Sequence, residues 1–286
     1  MAPASLVTNA IGIVQGRLSP PVAGRLQAFP WETWQDEFAR ARAAGYSMLE
    51  WVFESDRYDE NPIWTPGGRA RIRQLAAKFG VAVPSLCADY FMTHPFFRVP
   101  DAEREASGEV LCALVAYGAD VGMQTILVPV LEVSEIRSAR DKADLLDSLR
   151  RPLDLAAAHG VRLGLETELP AREYRALVEG AAHPALAAYY DVGNATARGF
   201  DVAADLRVLA PVLCGVHLKD RQRGGPSVKL GHGHADFAAC FDALAHIGYD
   251  GPLILQPATS EDYLEAAREH ARFVEDHLKR VSAHLG

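Results

Sequence analysis

A short pattern occurs five times along the chain, and it limits the fold more than any other feature of the sequence. In each copy a helical segment ends at a glycine, one apolar or aromatic residue follows, and an apolar run begins. The copies are AAGYSMLEW, KFGVAVPSL, DVGMQTILVPV, AHGVRLGLET and HIGYDGPLILQ, with glycines at Gly45, Gly80, Gly122, Gly160 and Gly248. A glycine just past a helix supplies the left-handed conformation that closes it. Five such junctions predict repeated βα units, and therefore a parallel sheet covered by helices.

Eight short apolar runs are candidate strands of this sheet. They are Ile11–Val14, Met48–Val52, Val81–Leu86, Thr125–Val130, Arg162–Thr167, Ala187–Asp191, Cys214–Leu218 and Leu253–Gln256. Helices are expected at Thr33–Ala44, Arg69–Phe79, Ala102–Val121, Ser134–His159 (one helix or two) and Ser260–Leu285. Eight strands in 286 residues fit a single (β/α)8 TIM barrel, one domain over residues 1–286. A doubly wound open sheet is the alternative, but the first run is followed by QGRLSPP rather than a glycine-rich phosphate loop.

Composition and charge narrow the possible partners. Hydrophobic residues make up 49% of the chain and charged residues 23%, which is ordinary for a soluble globular protein. The formal net charge of −8 argues against a nucleic-acid or anionic-membrane surface. The start of the chain does not resemble a signal peptide, and no apolar run reaches the roughly 18 residues of a membrane helix. The four cysteines form no CxxC pair. We expect a cytoplasmic protein without nucleic-acid or membrane partners.

Four consecutive candidate strands end in residues that can bind a metal ion. These residues are Glu166, Asp191, His217 and Gln256. The carboxyl ends of barrel strands meet at one mouth, so the four side chains are expected to share a site. Two carboxylates, an imidazole and an amide oxygen suit Mn²⁺, Mg²⁺, Co²⁺ or Zn²⁺. Any one of them has a plainer interpretation, because a single carboxylate at this edge can be a helix cap or an ion-pair partner.

Several segments around these residues resemble a known family. The segments are LGLETE at Glu166, YYDVGN at Asp191, GVHLKD at His217, LGHGHADF at Leu230–Phe237, and GYDGPLILQ ending at Gln256. Together they resemble the xylose-isomerase-like TIM barrels, in the branch similar to L-ribulose-5-phosphate and ketose 3-epimerases. The first half of the chain matches more loosely, through VPSLCADY and the strand spacing.

The resemblance implies an isomerase or epimerase that acts on a small sugar or sugar phosphate. It implies a divalent metal, with Mn²⁺ as first choice, held by Glu166, Asp191, His217 and position 256. Glu166 would be the base that removes a proton next to a carbonyl and forms an enediolate. Lys219 is predicted to be a second catalytic residue. Substrate-binding residues are predicted at Glu50, Trp51, Asn194, Arg223 and His232.

Gln256 departs from the family, which usually has Glu at this position. An amide oxygen can bind a metal ion, but it cannot accept or deliver a proton near neutral pH. A metal-dependent lyase, a dehydratase or decarboxylase of a keto-polyol or keto-sugar acid, is therefore the alternative. His232 is a second departure, where the family often has Glu. An abasic-site nuclease, and a binding protein with a decayed site, are further hypotheses.

Two surface features have open interpretations. Lys219, Arg221 and Arg223 could bind a phosphate or carboxylate, or could belong to a solvated loop. Phe91, Phe96 and Phe97 cluster in one loop and are expected to form a lid or an oligomer contact. A homo-oligomer, dimer or tetramer, is expected.

Overall fold

The fold is a closed barrel of eight parallel strands, seen in a computed structural model that describes residues 10–22, 24–25, 27–258 and 260–285. The barrel strands are β1 (Ile11–Val14), β2 (Met48–Val52), β3 (Ser85–Cys87), β4 (Thr125–Val130), β5 (Arg162–Thr167), β6 (Leu186–Asp191), β7 (Leu213–Leu218) and β8 (Leu253–Leu255). Each strand pairs with the next, and β1 pairs with β8, which closes the sheet. The predicted (β/α)8 barrel is thus confirmed and the open sheet is excluded.

Helices cover the outside of the barrel. They are α1 (Asp36–Ala43), α2 (Pro66–Phe79), α3 (Tyr90–Thr93), α4 (Asp101–Val121), α5 (Ala139–His159), α6 (Ala171–Gly180), α7 (Val192–Arg198), α8 (Val202–Leu209), α9 (Phe237–His246) and α10 (Tyr263–Leu285). A short antiparallel hairpin pairs residues 220–221 with 227–228 just after β7. None of the helices in the described ranges has the length and apolar character needed to cross a lipid bilayer.

The five glycine junctions behave as the sequence predicts. All five glycines have a positive φ, between 64° and 95°, in the region that favours glycine over other residues. The residue after each glycine is buried, at positions 46, 81, 123, 161 and 249. Each helix therefore closes with a left-handed residue and turns its chain inward to start a strand.

The third strand differs from its prediction. The run from Val81 was expected to be strand, yet regular pairing starts only at Ser85, with a single earlier bridge between Met48 and Ala82. Pro84 precedes the strand and has no N–H to give to the sheet, which explains the late start. The predicted lid is also wrong, because Phe91, Phe96 and Phe97 are each about 1% exposed and belong to the main core.

A small cluster, separate from the main core, brings one tyrosine toward the site. It consists of Cys87, Leu127, Ala187, Tyr189 and Cys214, from strands β3, β4, β6 and β7. The ring of Tyr189 fits because Gly215 has no side chain. A Cβ added to Gly215 would lie 2.3 Å from the ring. This space lets the Tyr189 hydroxyl reach Glu50, on the far side of the barrel.

Candidate active site

Three of the predicted ligands converge at the carboxyl ends of β5, β6 and β7. Donor atoms of Glu166, Asp191 and His217 all lie within 4.8 Å of one another, and the three side chains are buried. Asp191 also begins helix α7, because its Oδ1 accepts the backbone N–H of Asn194 at 2.7 Å. The helix-cap interpretation of Asp191 is therefore correct for one oxygen, and the other oxygen remains for the site.

Two buried atoms of this cluster have no hydrogen-bond partner within the described part of the chain. They are Asp191 Oδ2 and His217 Nδ1, and they face each other at 3.7 Å, which is too long for a hydrogen bond. Leaving such an atom unpaired costs about 1–3 kcal/mol. A divalent cation between these atoms would bind both, and the carboxylate–imidazole donor set suits Mn²⁺, Co²⁺ or Zn²⁺. The residues present therefore fit a divalent metal ion.

Glu50 holds the imidazole of His217 in place. His217 Nε2 lies 2.6 Å from Glu50 Oε1, while Ser85 and Tyr189 donate to Oε2 at 2.6 and 2.7 Å. A carboxylate behind an imidazole fixes its tautomer and leaves the other ring nitrogen for the metal. The prediction that Glu50 binds sugar hydroxyls is wrong, because this side chain is fully buried and its oxygens are occupied.

The opposite charges of Glu50 and His217 shift the pKa values of both side chains. Burial is the largest single influence and opposes ionisation of Glu50, but the charge of His217 together with the hydrogen bonds from His217, Ser85 and Tyr189 outweighs it, so the pKa of Glu50 lies below its usual value. Burial alone would lower the pKa of His217; the charge of Glu50 and the nearby Asp191 raise it to about 10. A metal ion at Nδ1 would displace that proton, so metal binding is linked to proton release.

Glu166 is the carboxyl group best suited to proton transfer. Its Oε1 accepts from Asn194 Nδ2 at 2.9 Å, and Asn194 Oδ1 accepts from Arg221 at 2.9 Å. Burial, together with the negative charge of Asp191, raises the pKa of Glu166 to about 8. A carboxyl group with a pKa near neutrality can both accept and release a proton under working conditions. Asn194 orients Glu166; its contact with a substrate stays a prediction.

Lys219 connects Gln256 to the metal-binding cluster. Its Nζ donates to Gln256 Oε1 at 3.1 Å and lies 3.6 Å from Asp191 Oδ2. Burial opposes ionisation of Asp191, but Lys219 and then His217 lower its pKa. Gln256 Nε2 donates to Gln27 Oε1 at 2.7 Å. The oxygen of Gln256 thus already has a partner, and its role as a metal ligand stays a prediction.

Asp220, in the HLKD segment, has a structural role that sequence reasoning missed. Its carboxylate accepts the backbone N–H groups of Gly231, Gly233 and Ala235 at 2.8–3.1 Å. A Cβ on Gly233 would lie 2.1 Å from Asp220 Oδ1, so only glycine fits there. This contact explains why HLKD and LGHGHADF occur together: the aspartate fastens the glycine loop. His232 is exposed on that loop, and its predicted substrate role stays a prediction.

The other two predicted substrate residues lie away from the metal-binding cluster. Trp51 is fully buried, with its indole N–H donating to Asn61 Oδ1 at 2.9 Å and its ring beside Trp34. The prediction that Trp51 stacks on a sugar ring is therefore wrong. Arg223 is exposed and lines a separate cavity between α8 and α9, together with Arg207.

Comparison with known proteins identifies the family to which this barrel belongs. Residues 38–277 match the xylose isomerase-like TIM barrel family. The L-ribulose-5-phosphate 3-epimerase UlaE of Salmonella typhi is 28% identical over 234 residues, which cover 79% of this chain and 82% of that enzyme. An L-ribulose 3-epimerase structure has a TM-score of 0.78 at 20% identity, covering 96% of this chain and 95% of its own. The 3-keto-D-glucoside 4-epimerase YcjR from E. coli has a TM-score of 0.75 at 18% identity, covering 94% and 99%. The chain belongs to the xylose isomerase-like TIM barrel family.

Proposed function

We propose that this protein is a metal-dependent sugar epimerase or isomerase, which moves a proton on the carbon next to a carbonyl. The observation that carries this proposal is the buried convergence of Glu166, Asp191 and His217, with two donor atoms left unpaired. The relatives named above are epimerases, which are enzymes of the isomerase class. They give no support to the lyase alternative that Gln256 suggested.

Glu166, Asp191 and His217 would hold the ion, for which Mn²⁺ is the first choice, and the amide oxygen of Gln256 would be the fourth donor. A divalent ion in this position would supply positive charge that makes the neighbouring C–H of a bound ketose more acidic. Glu166 takes the proton, and the electron pair of the broken C–H bond forms the double bond of an enediolate. Asn194 keeps the Glu166 carboxylate aimed at that proton.

Lys219 acts in this proposal through its charge. Its Nζ is held between Gln256 and Asp191, at the edge of the metal-binding cluster. A fixed ammonium group there stabilises negative charge that develops on substrate oxygen as the proton leaves. The substrate is a small carbohydrate. The cytoplasmic location and the homo-oligomeric state stay predictions from the sequence.

The test is proton exchange with solvent. Purified protein with Mn²⁺ is incubated in D₂O with a panel of free and phosphorylated ketoses, and deuterium uptake and product are followed by NMR. We expect uptake at the carbon next to the carbonyl, together with an epimer or isomer. Glu166→Gln is expected to lower the rate at least about a thousandfold, because it removes the base.

Glu173→Gln is the matched control. This carboxylate is exposed on α6, where it pairs with Lys142 at 2.9 Å, outside the metal-binding cluster. The control is expected to keep activity close to that of the wild type. Activity of Glu166→Gln within about tenfold of wild type would contradict the role of Glu166 as base. Absence of both exchange and product with every ketose would refute the proposed function.

A further inference from the structure

Epimerisation needs a second proton-transferring group, and Gln256 cannot be that group. Its amide has no ionisable proton in the working range, and both ends of the amide are already bound. Oε1 accepts from Lys219, and Nε2 donates to Gln27. If the proposed function holds, some other residue at the barrel mouth must return the proton from the side opposite Glu166.

Asp89 lies at the end of the same chain of hydrogen bonds. Gln27 Nε2 donates to Asp89 Oδ2 at 2.5 Å, so the chain runs from Lys219 through Gln256 and Gln27 to Asp89. Every step donates in the same direction, from an ammonium group toward a carboxylate. Asp89 comes two residues after β3, at the end of the barrel where the strands finish, and it is partly exposed.

The partners of Asp89 distinguish it from three other carboxylates near the strand ends, and Asp220, which has only backbone N–H donors, is fully buried. Glu50 faces the His217 imidazole, Glu54 pairs with Arg25, and Glu168 pairs with Arg198. Within the described ranges, Asp89 has only uncharged hydrogen-bond donors, the amide of Gln27 and the Cys87 thiol. Glu166 is similar, with the amide of Asn194 as its donor.

Uncharged donors leave a carboxyl group free to gain and lose a proton, whereas a salt bridge holds it ionised. Burial raises the pKa of Asp89, although the hydrogen bonds from Gln27 and Cys87 and the charges of His217 and Arg17 lower it; neither cation forms a salt bridge with Asp89 in the described residues. The negative charge of Asp89 in turn contributes to the raised pKa of Glu166. The two carboxyl groups are thus near enough to affect each other, although they come from different strands.

We propose that Asp89 is the second acid–base catalyst, which transfers the proton on the substrate face opposite Glu166 in place of the residue at position 256. This role rests on the proposed function. Glu166 takes the proton from one epimer, and the C–H electron pair becomes part of the enediolate. Protonated Asp89 then gives its proton to the other face, and that carbon regains a C–H bond as the carbonyl re-forms. Glu166 ends protonated and Asp89 ionised, and exchange with solvent restores both.

Lys219 is a weaker candidate for this proton. Both neighbours of its Nζ are acceptors, Gln256 Oε1 at 3.1 Å and Asp191 Oδ2 at 3.6 Å. These contacts hold the ammonium group beside Asp191, which belongs to the same cluster as Glu166, whereas the second proton must reach the opposite face of the substrate. The charge of Lys219 can stabilise an oxyanion there.

The test separates proton removal on the two faces of the substrate. Asp89→Asn keeps the size of the side chain and an oxygen that can accept from Gln27, but it cannot carry a proton. We expect epimerisation to fall at least about a hundredfold, while one of the two epimers still exchanges its proton with D₂O through Glu166. The matched control is Glu132→Gln, an exposed carboxylate just after β4, which is expected to epimerise like the wild type.

A double variant tests whether Asp89 substitutes for position 256. Adding Gln256→Glu to Asp89→Asn returns a carboxyl group to the end of β8, and we expect it to restore at least about a tenth of the lost epimerisation. Melting temperatures of all variants are measured beside the rates, to show that each is folded.

Three results would overturn the role of Asp89. The first is an epimerisation rate of Asp89→Asn within about tenfold of the wild-type rate. The second is that proton exchange falls for both epimers, and by as much as epimerisation falls. Asp89 would then only position other groups. The wild type could show neither exchange nor epimerisation with any ketose, which would refute the proposed function and the role of Asp89 with it. One-sided exchange in a folded Asp89→Asn variant would support the assignment.

Discussion

The two sides of the barrel mouth differ in how their polar side-chain atoms are paired by hydrogen bonds. On the side of β5, β6 and β7, the buried atoms Asp191 Oδ2 and His217 Nδ1 have no partner among the described residues. On the side of β8, β1 and β3, the amides of Gln256 and Gln27 are engaged at both ends. The first, open side leaves two buried polar atoms unpaired at a cost in stability. On the second, closed side the amides of Gln256 and Gln27 are bonded to each other and to their neighbours, although the buried Nε2 of Gln15, just after β1, also lacks a partner among the described residues.

This difference indicates what each side is built to do. Unpaired buried polar atoms are costly in an isolated protein, and a bound cation would remove that cost. The chain of amides fixes the position of the groups at its two ends, Lys219 and Asp89. The first side therefore holds the ion, and the second positions charge and protons around the substrate.

The largest expected effect comes from removing the open oxygen of Asp191. Asp191→Asn keeps an acceptor for the start of α7, since Asn is a good N-cap, but it can place an amide nitrogen where the free oxygen lies. We expect Mn²⁺ affinity to fall by more than about a hundredfold, measured by isothermal titration and by metal content after purification. Asp201→Asn is the control, because Asp201 caps α8 in the same way, away from the cluster. Equal Mn²⁺ affinity in the two variants would show that the unpaired atoms do not form a metal site.

A smaller effect is expected from the residue behind the imidazole. Glu50→Gln keeps the size of the side chain but removes the charge that fixes His217, and Mn²⁺ affinity should fall about 10- to 100-fold. Tyr189→Phe removes one donor to Glu50 without changing its charge, so its loss should be smaller. If Glu50→Gln binds Mn²⁺ as tightly as the wild type, the orientation of His217 does not depend on Glu50.

Gln256→Glu tests whether residue 256, which lies between the two sides of the mouth, contacts the metal ion. A carboxylate there adds negative charge next to the cluster and breaks the donation to Gln27, so Mn²⁺ affinity should rise about tenfold. Gln27→Glu adds the same charge one step further along the chain, and no comparable gain is expected. An unchanged affinity of Gln256→Glu would show that residue 256 does not contact the ion.

The sequence predicts the open side of the mouth far better than the closed side. Glu166, Asp191 and His217 each follow or end an apolar run, and the regular βα repeat brings such positions together. Gln27 lies in the loop between β1 and α1, where no periodic pattern predicts which residue will turn inward. Its partners, Asp89 and Gln256, are far away in the chain, so their contact depends on the closed barrel.

The errors at Glu50 and Trp51 share one physical cause. Strand β2 is buried over its whole length, because one face meets the barrel interior and the other meets the helices. Neighbouring side chains point to opposite faces, but a run that is buried on both faces has no polar alternation to indicate which is which. Glu50 turns inward to His217 and Trp51 outward to Trp34, a distinction that only the three-dimensional structure gives.

The smallest expected effect is on the closed side, in the pH dependence of stability. His270 on α10 is 3% exposed and lies beside a small cavity that Arg17 and Pro257 also line. Burial lowers the pKa of His270 from 6.5 to about 4, with a further contribution from Lys229. The folded state therefore resists protonation of His270 while the unfolded chain accepts it below about pH 6.5. The stability from this group is complete above pH 6.5 and is lost as the pH falls toward 4.

Between about pH 7.5 and pH 5.5 the loss should be about 1 kcal/mol in the free energy of unfolding. Urea unfolding of metal-free wild type and His270→Gln at the two pH values measures it, with His277→Gln on the same helix as control. An equal change with pH in wild type and His270→Gln would show that His270 is not buried in its neutral form, and the closed side would then be more hydrated than its hydrogen bonds indicate.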